Sequence, residues 1–110
     1  MNNIEDEIKV LLNLFNTAKF DVLITRTKKL IRKIPEYLIL YNILGSAYQN
    51  IGDLKLAKET FAKGHKMDPS NIAIMNNLAN VYKNTGEIEL AENLFKKIIE
   101  KDPNYINAYV

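Results

Sequence analysis

Residues 41–69 read YNILGSAYQNIGDLKLAKETFAKGHKMDP, and residues 75–103 read MNNLANVYKNTGEIELAENLFKKIIEKDP. The second string is the first displaced by thirty-four positions. Tyr41, Leu44, Gly45 and Tyr48 fall at i, i+3, i+4 and i+7, the stripe of one helical face. Ala57 and Phe61 start a second stripe, and Pro69 closes the unit. One period on stand Met75, Leu78, Ala79, Tyr82, Ala91, Phe95 and Pro103. Between residues 38–71 and 72–105 eleven positions are identical, against about two expected from ordinary composition. Pro35, Pro69 and Pro103, all the prolines of the chain, share the spacing. The 110 residues therefore divide into units 4–37, 38–71 and 72–105, with 106–110 opening a fourth, in one domain.

An aromatic-x2-Leu-Gly-x2-Tyr stretch, then Ala-x3-Phe, then Pro, at a period of thirty-four, resembles the tetratricopeptide repeat. The resemblance spans nearly the whole chain and is strongest in the second and third units. It implies an all-α, right-handed superhelical solenoid of antiparallel helix pairs. It also implies a protein-interaction module that binds a peptide or protein segment in its concave groove. In such a stack the first helix of each pair lines the hollow and the second faces outward.

The first unit departs from this pattern. Helices are expected over 3–16 and 20–34, the latter stopped by Pro35, which cannot donate the next ladder bond. Leu23, Thr27, Leu30 and Ile31 fall on its inward side. Asn16-Thr17-Ala18 makes the turn that carries glycine in the later units. Leu11 and Leu23 stand where the second unit has Gly45 and Ala57, so the first pair should pack farther apart or at a shifted angle. In the second unit Gly52 supplies the left-handed residue that ends a helix and Asp53 can cap the next. Gly86 and Glu87 repeat this, with glutamate the poorer cap. A repeat buries its apolar face only against a neighbour. The last pair, with Ile88, Leu94, Ile98 and Ile99, meets only the first residues of a fourth unit. Either a longer array follows, or the uncapped end is covered by another copy in a homo-oligomer; the first is the expectation.

Beside the core stripe, Asn76, Asn80 and Asn84 form a row with a spacing of four, and Asn42, Ser46 and Asn50 form the same row one period earlier. Gln49 and Asn77 lie alongside. Each amide offers two donors and one acceptor oxygen, which suits the main chain of an extended peptide. The row is similar to the asparagine-lined groove in the repeats of O-linked N-acetylglucosamine transferase. Asn77 matches that groove's asparagine, whereas Ile43 and Lys9 hold the corresponding places in the other units. The competing reading is compositional, since the chain has fourteen asparagines and fourteen isoleucines. Ile8, Leu12 and Phe15, extended by Ile39 and Ile43, form an apolar patch facing the same groove. Such a patch marks an anchor site or a self-association surface, unless a shifted first pair buries it in its own core.

Some tetratricopeptide domains hold the carboxylate tail of heat-shock chaperones in a clamp of lysine, arginine and asparagine. That resemblance places the clamp at Ile8, Leu12, Ile43, Ala73 and Asn77, where no cation is left. The basic run Arg26, Lys28, Lys29, Arg32, Lys33 has no interleaved aromatics for base stacking, so it reads as a solvated face and nucleic acid is not the expected partner. With no cysteine and His65 the lone histidine, no metal site and no cofactor are expected. His65 falls at the place of Ile31 and Ile99 and reads as a packing residue. No phosphate loop or nucleophile elbow is present, so no enzyme activity is expected within this chain. A recruiting or oligomerisation arm at the amino terminus of a longer enzyme, such as a glycosyltransferase or sulfotransferase, is the alternative, and a self-assembling repeat is another. The acidic start and the shortness of the apolar run Tyr37–Tyr48 argue against a secretory signal and against membrane insertion. A cytoplasmic location is expected.

Overall fold

The computed structural model describes residues 3–105; the stub expected at 106–110 lies outside the described residues. Among these residues there are six helices and no strand. They are α1 (Ile4–Asn16), α2 (Phe20–Lys33), α3 (Leu38–Asn50), α4 (Leu54–Met67), α5 (Ile72–Asn84) and α6 (Ile88–Lys101). The first helices of the pairs begin thirty-four residues apart, and so do the second helices.

Local chemistry sets the ends of these helices. The side chains of Asn3, Asp53 and Asn71 accept from the N–H groups of Asp6, Leu56 and Ile74, pairing donors that a helix start leaves open. Glu87 makes no such cap bond. Its carboxylate instead accepts from Lys58 Nζ at 2.9 Å and from the Thr85 hydroxyl at 2.8 Å, tying α4 to the turn of the next unit. Gly52 and Gly86 take φ of 84° and 82° between the helices of their pairs, and Ala18 does the same job at φ 57°. After α4, Asp68 Oδ1 accepts from both the N–H and the hydroxyl of Ser70 around Pro69. Asp102 and Asn104 repeat the N–H contact around Pro103.

Packing runs as a stack. α2 lies against α1 and then α3, and α4 lies against α3 and then α5. The molecule measures 43 × 26 × 22 Å with a radius of gyration of 14.2 Å, above the ~13 Å of a compact domain of this length. Phe61 is wholly buried, with its ring over Gly45; a methyl group there would come within 2.6 Å of Phe61 Cδ1. That small residue lets α3 and α4 approach closely. At the matching place Leu11 and Leu23 are both fully buried, and α1 touches α2 far less than α3 touches α4. Two bulky residues hold the first pair apart, as their size demands.

The core falls into two clusters. One joins Leu44, Tyr48, Phe61, Leu78 and Ile98 across the last two pairs. The other joins Leu11, Leu23, Leu40, Ile43 and Ala47. Ile24 and Ile31 pack against both. α3 is thus buried on two sides, which is why its sequence is apolar nearly throughout.

Candidate peptide groove

The odd-numbered helices approach one another, α1 with α3 and α3 with α5, whereas the even-numbered helices do not match that approach. In a curved stack the shorter arc is the inner one. α1, α3 and α5 therefore line the concave side, with the second helices outside.

On this inner side Asn77 Nδ2 on α5 donates to Asn42 Oδ1 on α3. The bond links neighbouring units at an offset of thirty-five residues, and among the described residues Asn42 Nδ2 and Asn77 Oδ1 have no hydrogen-bond partner. Ser46, Gln49 and Asn80 are half-buried beside it, and Asn50 and Asn84 are exposed. Asn50 Nδ2 donates to the Ser46 carbonyl at 2.8 Å, so one of its donors is engaged within its own helix.

Asn76 departs from the row. It is only 9% exposed, and its Oδ1 is sealed with no partner among the described residues. A buried oxygen in that state costs about 1–3 kcal/mol. Exposure rises along α5 from Asn76 through Asn80 to Asn84, so the latter two are open to solvent where Asn76 is not.

The apolar set also divides. Leu12 and Ile39 are 44% and 40% exposed, and Ile8 is half-buried. Ile43 is only 6% exposed and belongs to the core of the first unit, packed with Leu11, Leu23, Leu40 and Ala47. Phe15 stands edge-on to Phe20, with centroids 5.5 Å apart at 80°. Both are half-buried and pack against the core of the first unit.

His65 lies away from this row on α4. It is partly buried, and its sealed Nδ1 has no hydrogen-bond partner among the described residues. Burial first, and the Lys97 cation second, hold its pKa below the ordinary 6.5. Among the described residues no three His, Cys, Asp or Glu side chains converge as metal ligands, and no helix is long and apolar enough to cross a membrane.

Curved stacking of helix pairs with a polar, largely uncharged inner row defines an α-solenoid of the repeat class. Its sequence agrees: the tetratricopeptide repeat profile matches residues 52–109, more than half of the chain. The chain belongs to the tetratricopeptide repeat family. No curated protein matches it in sequence. Among solved structures it is similar to MamA, with 25% identity and a TM-score of 0.89, over 98% of this chain and 63% of that one. It is also similar to the first such domain of Spaghetti (RPAP3) bound to the HSP90 peptide SRMEEVD, at 18% identity and a TM-score of 0.87, over 92% of this chain and 80% of that one. A third is the type III secretion chaperone SycD of Yersinia enterocolitica in complex with a peptide of the translocator YopD. It has 20% identity and a TM-score of 0.85, over 93% of this chain and 78% of that one. The chain thus spans less than two thirds of the MamA structure it resembles.

Proposed function

We propose that the chain is a protein-interaction module that holds an extended peptide along the inner side of α1, α3 and α5. The observation that carries this reading is the amide pair Asn42–Asn77, which bridges two units and, among the described residues, keeps the N–H donors of Asn42 Nδ2 and the acceptor Asn77 Oδ1 unpaired. Ser46, Gln49, Asn50, Asn80 and Asn84 flank it with further donors and acceptors. A peptide main chain presents both kinds of group whatever its side chains, so this lining favours the backbone over a charged tail. Leu12 and Ile39, with Ile8 between core and solvent, would receive an apolar side chain of the guest. The peptide complexes of the RPAP3 and SycD domains support the class of ligand. The acidic sequence SRMEEVD is not the expected guest here, because Ile8, Leu12, Ile43, Ala73 and Asn77 offer no cation at the clamp positions.

Peptides selected from a displayed library would then be titrated calorimetrically against the protein and against Asn42→Ala/Asn80→Ala/Asn84→Ala. Asn76 is excluded because it is sealed in the wall. These groove residues contribute little burial, so the helical signal should be unchanged while affinity falls about tenfold or more, as expected for two hydrogen bonds at ~1 kcal/mol each. Equal affinity in the two proteins would remove the amide groove as the binding site.

A further inference from the structure

We propose that the convex side carries a second docking site, a cleft between α2 and α4 that takes an acidic amphipathic helix of a partner protein. α2 and α4 both rest on α3 without closing on each other, and the gap between them has a volume of about 550 Å³. Its floor is apolar, made by Ile31, Tyr41, Leu44 and Ala62. Tyr41 is fixed there by its hydroxyl, which donates to the Pro35 carbonyl at 2.9 Å.

Its rim is basic. Lys28 and Arg32 stand on one bank and Lys63 and Lys66 on the other, with Glu59 the single acid between them. All four cations are exposed, and none has an ion-pair partner among the described residues, where the pairs are Arg26–Glu7 and Lys58–Glu87. This charge is segregated rather than general. α2 and α4 together hold nine lysines and arginines against Asp21 and Glu59, α6 is balanced, and the whole chain has a formal charge of only +2.

The period changes the lining from one unit to the next. One unit later Ile31 becomes His65 and Lys28 becomes Ala62, so the matching rim loses a cation and its floor turns partly polar. The banks on α4 run from Glu59 to Lys66, two helical turns or ~10 Å. A helix laid between the banks would bury leucine-sized side chains on the floor and place carboxylates against both rims. A fully charged strand would leave the floor unused, and a neutral apolar helix would leave the cations unpaired. Charge complementarity over an apolar floor therefore selects the acidic amphipathic helix.

The probe is a synthetic fourteen-residue peptide with leucine at i, i+3, i+4 and i+7 and glutamate at most other places; its control carries lysine for glutamate. Binding is followed by amide chemical shifts and by anisotropy at low and at moderate salt. The acidic peptide should move the resonances of α2 and α4 around the cleft, and bind at least tenfold more tightly than the lysine peptide. Raising the salt should weaken it severalfold. Lys28→Glu/Lys63→Glu, both exposed, should keep the helical spectrum and lose at least tenfold in affinity, whereas Asn80→Ala/Asn84→Ala should bind as the parent does. Shifts confined to α1, α3 and α5, or equal affinity for the two peptides, would overturn the proposal. So would vesicles of phosphatidylserine binding where the peptide does not. A dimer of the protein alone that Lys28→Glu/Lys63→Glu makes monomeric would assign the cleft to a second copy, and equally overturn it.

Discussion

Ala18 shows how one residue can depart from the repeat without changing the fold. Gly52 and Gly86 hold the left-handed turn at no steric cost, but the alanine methyl crowds the adjoining carbonyl at φ 57°. Ala18→Gly should therefore stabilise the protein by about 0.5–1 kcal/mol in urea unfolding, the strain relieved exceeding the freedom added to the unfolded chain; a destabilised variant would contradict this. His65 offers a second check. Its folded pKa lies below 6.5, chiefly through burial, so the unfolded chain binds the proton more readily than the native one. The stability due to neutral His65 is complete above about pH 6.5 and is lost as pH falls below it. His65→Ile, the residue type at the equivalent places in the other units, should flatten the fall in Tm between about pH 7 and pH 5. Asp68 and Glu87, whose pKa values are lowered by hydrogen bonds from Ser70 and from Lys58 with Thr85, act only further down, in the carboxylate range. An unchanged profile in the histidine variant would mean that its burial carries no linkage.

At the level of the helices, the contact of Phe61 with Gly45 decides how closely a pair closes. Phe61→Ala should cost ~3–5 kcal/mol as a cavity in a core with no exposed edge, and Gly45→Ala ~1–3 kcal/mol because the buried ring has nowhere to retreat. Thermal unfolding of both variants measures this, and a loss under ~0.5 kcal/mol in either would contradict the packing. These elements were legible in the sequence because stripes at i, i+3, i+4 and i+7, closed by glycine and proline, carry the period directly. Asp53 as a cap, Glu87 as a poor one and the spread first pair followed from residue type. Which inner side chains reach the hollow did not. Helical spacing assigns a face in projection, but α3 is packed on two sides, so Ile43 turns into the core of the first unit while Asn42 meets Asn77. Asn76 is sealed for a related reason, lying at the start of a row whose exposure grows along α5. The pairing of Asn42 with Asn77, one residue off the repeat, has no signature in a single chain.

Taken as a whole, the molecule is two cores joined by few residues. Ile24 and Ile31 pack against both clusters, so Ile24→Ala/Ile31→Ala should weaken the junction more than either core. Denaturant unfolding should then separate into two transitions, with the signal of the first pair lost before that of the last two; a single sharp transition with unchanged m would show the coupling to run elsewhere. The basic run of α2 was visible as a run, but its convergence with Lys63 and Lys66 depends on α4 standing across an open gap, which only the stack supplies. That gap also has a mechanical meaning. Because the inner helices approach one another more closely than the outer ones, the solenoid resembles a book held at the spine, with the gap between α2 and α4 at its open margin. α3 is the leaf common to both margins, bearing Tyr41 and Leu44 toward one and Asn42 toward the other. A guest seated in the outer gap would rest on the same leaf that carries Asn42 of the amide pair.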